Sequence, residues 1–519
     1  MSYRMDISRR GLLAGSTAAA TGLAFQRLAR AQTRSGSLTV GVNANLLTLD
    51  PADANDTLSQ SAARLMLEGL LSFDKDMKVI PQLAEKYEAN DSATEFTFHL
   101  RQGIKFQDGT PFDANAVKVN FERIANPANH LKRQGLIAML DHVEVVDDHT
   151  AKCVLKSPFG AFLPTVAHPS LQLLSPAAIQ KYGKDIGRNP VGTGPFSFVN
   201  WSPDTLKVRK NPTYWQSGQP YLNDVTIRSN PEDGARIAML QAGEAQFIYP
   251  IPPQLAKVVQ ANPKLDLVND PSIVVRYMAM NVMKKPYDDP RVRQALNYAV
   301  DKKTFVRVVY NGFAEPLLSA EPPHVTFYAQ QAEYAYDPAK AKQLLAEAGH
   351  PNGFAATLWG ANNTLSITGM QFLQQQFAAI GVKLKVEPLE GGVMASRIWT
   401  VQHPADSQLE LYYGAWSSST GDADWALRPL FATSAFPPSL YNVGYYSNQA
   451  VDADLKGALE TADPEKRSGF YADAQKRIWQ DAAWVFIGVE SVIGGRDKSL
   501  HDAYRLPDGG MMIDAAKYA

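Results

Sequence analysis

Helices with legible ends alternate with period-two stretches along this chain, and that alternation restricts it to a mixed α/β fold. Asp337-Pro338 sets an N-cap before a proline at the first helical position, and Ala341, Leu344, Leu345 and Ala348 form one apolar face. Gly349 then ends the helix ahead of Pro351. Asp289-Pro290 starts another helix the same way, with Val292, Ala295, Leu296 and Ala299 inward. A third is predicted from about Ser366 to Ile380, stopping at Gly381 and leading into Val382-Lys383-Leu384-Lys385-Val386, which alternates as a half-buried strand does. Phe96, Phe98 and Leu100 alternate likewise, and Asp108-Gly109 then turns the chain toward a helix capped by Asp113.

A chain of 519 residues exceeds what one hydrophobic core serves, so two or more folded units are expected. Breaks rich in Pro and Gly fall near residues 190–195, 250–253 and 286–290. Apolar residues make up 45% and charged residues 20%, which excludes a disordered or collagen-like chain. Lys plus Arg number 51 against 52 Asp plus Glu, so the basic footprint that nucleic acid requires is missing. The single cysteine, Cys153, leaves no intramolecular disulfide and no Cys-rich zinc site. Its place in line with Ala151 and Leu155 reads as a buried thiol.

The N-terminus reads as an export signal. Arg4, Arg9 and Arg10 precede a moderately apolar stretch from Gly11 to Phe25, and Ala29-Arg30-Ala31 supplies a small-residue cleavage site. Ser8-Arg9-Arg10-Gly11-Leu12-Leu13 resembles the twin-arginine type, with an ordinary Sec signal as the alternative. Loss of residues 1–31 takes away five arginines and one aspartate, leaving 46 basic against 51 acidic residues. No other segment approaches the roughly 20 apolar residues of a membrane span. The expected location is the periplasm, without membrane insertion.

Familiar catalytic signatures are missing. No Walker A loop, H-E-x-x-H or G-x-S-x-G motif occurs, and the nine histidines are scattered. His142 and His149 fall in a strand–turn–strand, where a solvated turn position is the plainer reading. Gly192-Thr193-Gly194 suggests a phosphate cradle, but Pro195 follows and no helix opens there. Neither metal nor cofactor is expected.

Several segments resemble the large periplasmic solute-binding proteins of peptide-type ABC importers. They include Ile104-Lys105-Phe106-Gln107-Asp108-Gly109-Thr110-Pro111-Phe112, Asn189-Pro190-Val191-Gly192-Thr193-Gly194-Pro195-Phe196, Asn211-Pro212-Thr213-Tyr214-Trp215 and Arg291-Val292-Arg293-Gln294-Ala295-Leu296-Asn297-Tyr298-Ala299. Asp50 to Gln60, Pro127 to Arg133 and Gly414 to Trp425 are similar to the branch that binds glutathione. The resemblance implies a two-lobed periplasmic binding protein fold (type II, cluster C-like) with an extra subdomain in the first lobe. Residues 1–31 would be the signal, and residues 37–70, 190–270 and 486–519 the first lobe. Residues 71–189 would form the subdomain and 271–485 the second lobe. It further implies a non-enzymatic receptor, a monomer, that closes on a glutathione-like peptide and hands it to permease and ATPase subunits on other chains. The alternatives are a receptor for other oligopeptides, haem or nickel chelates, and a secreted peptidase or γ-glutamyl hydrolase.

A zwitterionic peptide taken out of water needs a partner for each charge. Asp422 and Asp424 are candidate ammonium acceptors, and Trp416 is a candidate apolar wall. Relatives that hold an α-amino terminus carry Asp where Ser419 stands, and dipeptide binders place an arginine downstream of the position of Trp359. Both departures favour a γ-linked ligand. Arg133 and Arg276 are candidates for the carboxylates, because guanidinium groups donate in pairs. Arg276 interrupts an apolar run, so it is either paired within the protein or aimed at a cleft. Lys132-Arg133 is a basic pair of the sort that also suits a solvated face. Asn55 and Thr57, beside the helix cap expected at Asp56, are candidate donors from the first lobe.

Overall fold

A computed structural model describes residues 36–519; the expected export signal lies outside the described residues. Two large sheets dominate. The first has seven strands in the order Leu265–Asp270, Val492–Asp497, Phe247–Ile248, Ser37–Val42, Asp224–Ser229, Thr205–Lys210, Phe196–Ser202. The second has six, in the order Ala314–Pro316, Trp484–Glu490, Val274–Met280, Leu411–Ser417, Ala355–Ala361, Lys383–Leu389. Each is mixed: Ser37–Val42 is parallel to both its neighbours, and so is Ala355–Ala361. The expected mixed α/β, two-lobed architecture is what the chain forms.

Local signals act where the sequence places them. Asp337 caps Pro338–Glu347 by accepting from the Lys340 N–H, and Asp289 caps Pro290–Tyr298 through Arg291. The third helix spans Thr364–Ala378, two residues earlier than expected at each end, because the Asn363 carboxamide caps it at the Ser366 N–H. Gly381, at φ +86°, reverses the chain into Lys383–Leu389, which lies parallel to Ala355–Ala361. Strand, helix and strand thus form a crossover that buries Leu358, Met370, Leu373 and Phe377 between them.

Residues 84–155 carry a separate four-stranded antiparallel sheet, in the order Ala84–Ala89, Glu95–Leu100, Thr150–Leu155, Leu140–Asp147. Phe96, Phe98 and Leu100 point into its core together with Cys153, whose thiol burial pushes far up from its ordinary pKa. His142 and His149 sit in the hairpin anticipated for them. Gly192 and Gly194 serve close approach, since a Cβ on Gly192 would stand 2.3 Å from the Met66 carbonyl oxygen and one on Gly194 2.6 Å from its carbonyl carbon. Thr193 between them donates to buried Glu68, which also accepts from the Tyr214 hydroxyl and the Trp215 indole.

The chain passes between the two large sheets at Pro271–Ile273 and again at Ser491. Trp484–Glu490 pairs with Val274–Met280 from Trp484 to Val489 and with Ala314 through Glu490, so sheet membership puts the second crossing after Glu490. A boundary at 485/486 would cut a hydrogen-bonded strand. No helix among the described residues is long and apolar enough to cross a membrane.

Candidate ligand cleft

The first side of the cleft is built on the loop that leads into helix Thr57–Ala63. Asp50 anchors this loop by pairing with Arg123 and by accepting from the Ala52 N–H. Arg133, from the 71–189 region, then docks on it. Its backbone N–H donates to the Ala52 carbonyl at 3.0 Å and its Nε to the Ala54 carbonyl at 3.1 Å. Asp56 caps the helix through Oδ1, which accepts from the Ser59 N–H at 2.7 Å, while its buried Oδ2 has no hydrogen-bond partner. Asn55 and Thr57 flank it and are exposed.

The second side is aromatic. Trp416, next to last in the strand Leu411–Ser417, donates its indole N–H to the Trp425 carbonyl at 2.8 Å. Ring centroids lie 5.9 Å apart for Trp416 and Trp425 and 5.1 Å apart for Trp416 and Tyr441. Tyr441 is 40% exposed. Burial lowers the pKa of Arg133, and the groups that oppose this are the Tyr441 hydroxyl and the Asp56 carboxylate. Arg133 therefore lies within electrostatic reach of both sides, yet no carboxylate among the described residues is at ion-pair distance from it. A half-buried guanidinium with spare donors, within electrostatic reach of a tyrosine, suits a carboxylate-bearing ligand with an apolar body.

Of the residues singled out from sequence, Asn55 and Thr57 flank the Asp56 cap and Arg133 docks on the loop before it, while Trp416 packs on Trp425 and Tyr441. Ser419 is half-buried in the loop that follows Trp416. The remaining four are placed differently. Asp422 is 2% exposed, caps helix Ala423–Phe431 and pairs with Arg467 at 2.7 Å. Asp424 is 3% exposed and accepts two bonds from Arg428, at 2.7 and 2.8 Å. Neither carboxylate is free for a ligand ammonium, because each neutralises an arginine of its own chain. Arg276 resolves as a structural pair: it is tied to Glu490 and to the Tyr310 hydroxyl. Burial opposes its charge, but Glu490 and Tyr310 outweigh that and hold its pKa well above the ordinary range. Trp359 is buried in the core one strand from Tyr412, beneath the guanidinium of Arg397. Tyr441 is the residue the sequence reading missed. Its one signal was an aromatic side chain placed two residues after the turn-prone Pro437-Pro438-Ser439 run.

No group of His, Cys, Asp and Glu among the described residues is arranged to hold a metal ion. Residues 78–437 match the family model described as "Bacterial extracellular solute-binding proteins, family 5 Middle". The glutathione-binding protein of Salmonella typhimurium is 45% identical over 500 residues, which is 96% of this chain and 98% of that protein. The glutathione-binding protein of Pectobacterium atrosepticum is also 45% identical, over 97% of each chain. Among solved structures, HbpA2 of Haemophilus parasuis aligns with a TM-score of 0.85 at 26% identity, covering 93% of this chain and all of that one. The periplasmic binding protein DppA of Helicobacter pylori, in complex with the peptide STSA, gives 0.75 at 26% identity, covering 94% of this chain and all of that one. With the family model spanning most of its length and relatives matched end to end, this chain belongs to the family 5 bacterial extracellular solute-binding proteins.

Proposed function

We propose that this protein is a periplasmic receptor that captures glutathione or a related γ-glutamyl peptide and delivers it, unaltered, to an ABC import permease. The observation that carries the ligand reading is Arg133, a half-buried guanidinium with no carboxylate among the described residues at ion-pair distance, supported only through space by Asp56 and Tyr441. A ligand carboxylate supplies that charge, and Trp416 and Tyr441 cover the ligand's methylenes. The 45% identity to glutathione-binding relatives over nearly the whole chain supports the same ligand. Lobe closure on the bound peptide, through differential affinity for the closed form, then presents the complex to the permease. We take the receptor to act as a monomer outside the cytoplasm, with ATP hydrolysis supplied by other subunits.

Mass spectrometry of the small molecule that co-purifies with protein exported to the periplasm tests this reading. The expected species is intact glutathione or another γ-glutamyl peptide. Recovery of α-linked peptides, haem or a nickel chelate overturns the ligand, and recovery of free glutamate with cysteinylglycine overturns the receptor role.

A further inference from the structure

Away from the cleft and the crossing strands, a second contact joins the two halves of the molecule. It lies between the 71–189 region and the second lobe. The Gly160 N–H donates to the Leu459 carbonyl at 2.8 Å, where helix Gln449–Leu459 ends. The backbones are so close that a Cβ on Gly160 would stand 2.1 Å from the Thr461 carbonyl oxygen and 2.9 Å from that of Ala458. Both obstacles are main chain, so a single methyl group forces the surfaces apart. Arg467 fixes the receiving loop, donating to the Ala458 carbonyl at 3.2 Å and to Asp422 at 2.7 Å.

The same seam has a second fastening. Residues 71–81 form a hairpin whose tip carries Met77 in the left-handed conformation, φ +61°, and 1% exposed. Opposite it stands Gly421, also left-handed at φ +64°, where a Cβ would lie 3.2 Å from the Met77 Cβ. The apolar core beneath is continuous across the seam, joining Phe96, Phe121 and Phe162 on one side to Leu427, Leu455 and Tyr471 on the other. The core behind the seven-stranded sheet is a separate cluster. At its rim the seam opens into a polar groove of about 460 Å³ lined by Asn90, Asp91, Asp463 and Lys466.

We propose that Gly160 on Leu459–Thr461 and Met77 on Gly421 form a latch between the 71–189 subdomain and the second lobe, which biases the lobes toward closure before any ligand arrives. Stabilisation that exists only in the closed arrangement raises the fraction of ligand-competent molecules, and apparent affinity rises by that same fraction. The latch thereby tunes affinity through residues that are not part of the candidate site.

Small-angle scattering of the ligand-free protein tests this, with Gly160→Ala and Met77→Gly compared against the parent. Met77→Gly removes the knob while leaving the hairpin tip a residue that favours its left-handed conformation, so it decides the matter alone if Gly160→Ala does not fold. Both variants are expected to keep the parent's far-ultraviolet circular dichroism and to show a larger radius of gyration. Their affinity for glutathione is expected to fall by about tenfold if the closed population falls tenfold. Ligand-free profiles that superimpose on the parent's overturn the latch. The scattering arm does not depend on the ligand: expansion of the variants with no glutathione binding by the parent removes the ligand assignment and upholds the latch.

Discussion

Arg276 and Glu490 form an ion pair across neighbouring strands of the second sheet, and Glu490 is the last strand residue before the chain crosses to the first sheet at Ser491. The strand register shifts between Arg276 and Tyr277, and Tyr310 closes the cluster by donating to Glu490 at 2.7 Å. The charged residue that looked like a ligand anchor is therefore half of a structural pair beside the crossing between the two sheets.

Glu490→Ala leaves the Arg276 guanidinium buried without its carboxylate. Removing one partner of a buried pair costs about 3–5 kcal/mol; because Glu490 is partly exposed, the lower end applies. Urea unfolding should show a loss on the order of 3 kcal/mol. A loss under about 0.5 kcal/mol, the range of ordinary surface substitutions, contradicts the structural role.

Arg133→Ala removes the guanidinium proposed to hold the ligand carboxylate. Glutathione affinity is expected to fall by roughly 10- to 100-fold, the worth of about 1.5–3 kcal/mol for hydrogen bonds to a charged group. Titration calorimetry reads this directly. Unchanged affinity would remove Arg133 from the site.

Asp422→Asn separates the two roles considered for that residue. It weakens the pair with Arg467 and alters the cap on Ala423–Phe431, so the midpoint of unfolding should drop. Affinity measured on the folded protein should stay within about twofold of the parent, apart from any effect relayed through the latch. A large loss of affinity with stability intact would return Asp422 to the ligand.

The contributions of Glu68 and Asp514 to stability should fall as pH rises from about 4.5 to about 7, while buried His168, held well below its ordinary pKa, contributes in the opposite sense. Burial raises Glu68 from 4.5 to about 7, against the pull of its hydrogen bonds from Thr193, Trp215 and Tyr214. Burial also raises Asp514 to about 6. A carboxyl whose folded pKa lies above its unfolded one binds more protons in the native state, so its contribution is complete below the unfolded pKa and is lost as pH climbs through the folded value. For Glu68 that loss is about 3 kcal/mol. Glu68→Gln keeps most of the hydrogen bonds and should flatten the pH dependence of unfolding in this window; an unchanged slope contradicts the assignment.

Helix ends were the most legible feature, because a cap bonds to a backbone N–H two or three residues away and its whole logic lies within one short segment. Asp337, Asp289, Asp113 and Asp56 all act this way. The charged candidates were harder to place, since their partners are distant in sequence. Asp422 meets Arg467 45 residues on, and Arg276 meets Glu490 after 214. Nothing near Asp422 distinguishes a carboxylate that waits for a ligand from one already neutralised. Arg133 was legible as a charge, but the Ala52 and Ala54 carbonyls that aim it lie some 80 residues earlier. Trp359 and Trp416 are both tryptophans near strand ends in the sequence, and only their neighbours in the folded sheet bury the one and leave the other half-buried.

Calorimetric titration of the purified, ligand-free protein with reduced glutathione tests the central claim most directly. The account predicts a saturable 1:1 heat, with the tripeptide recovered whole and the protein more compact at saturation. No heat with glutathione, alongside a saturable response to an α-linked peptide, would contradict it.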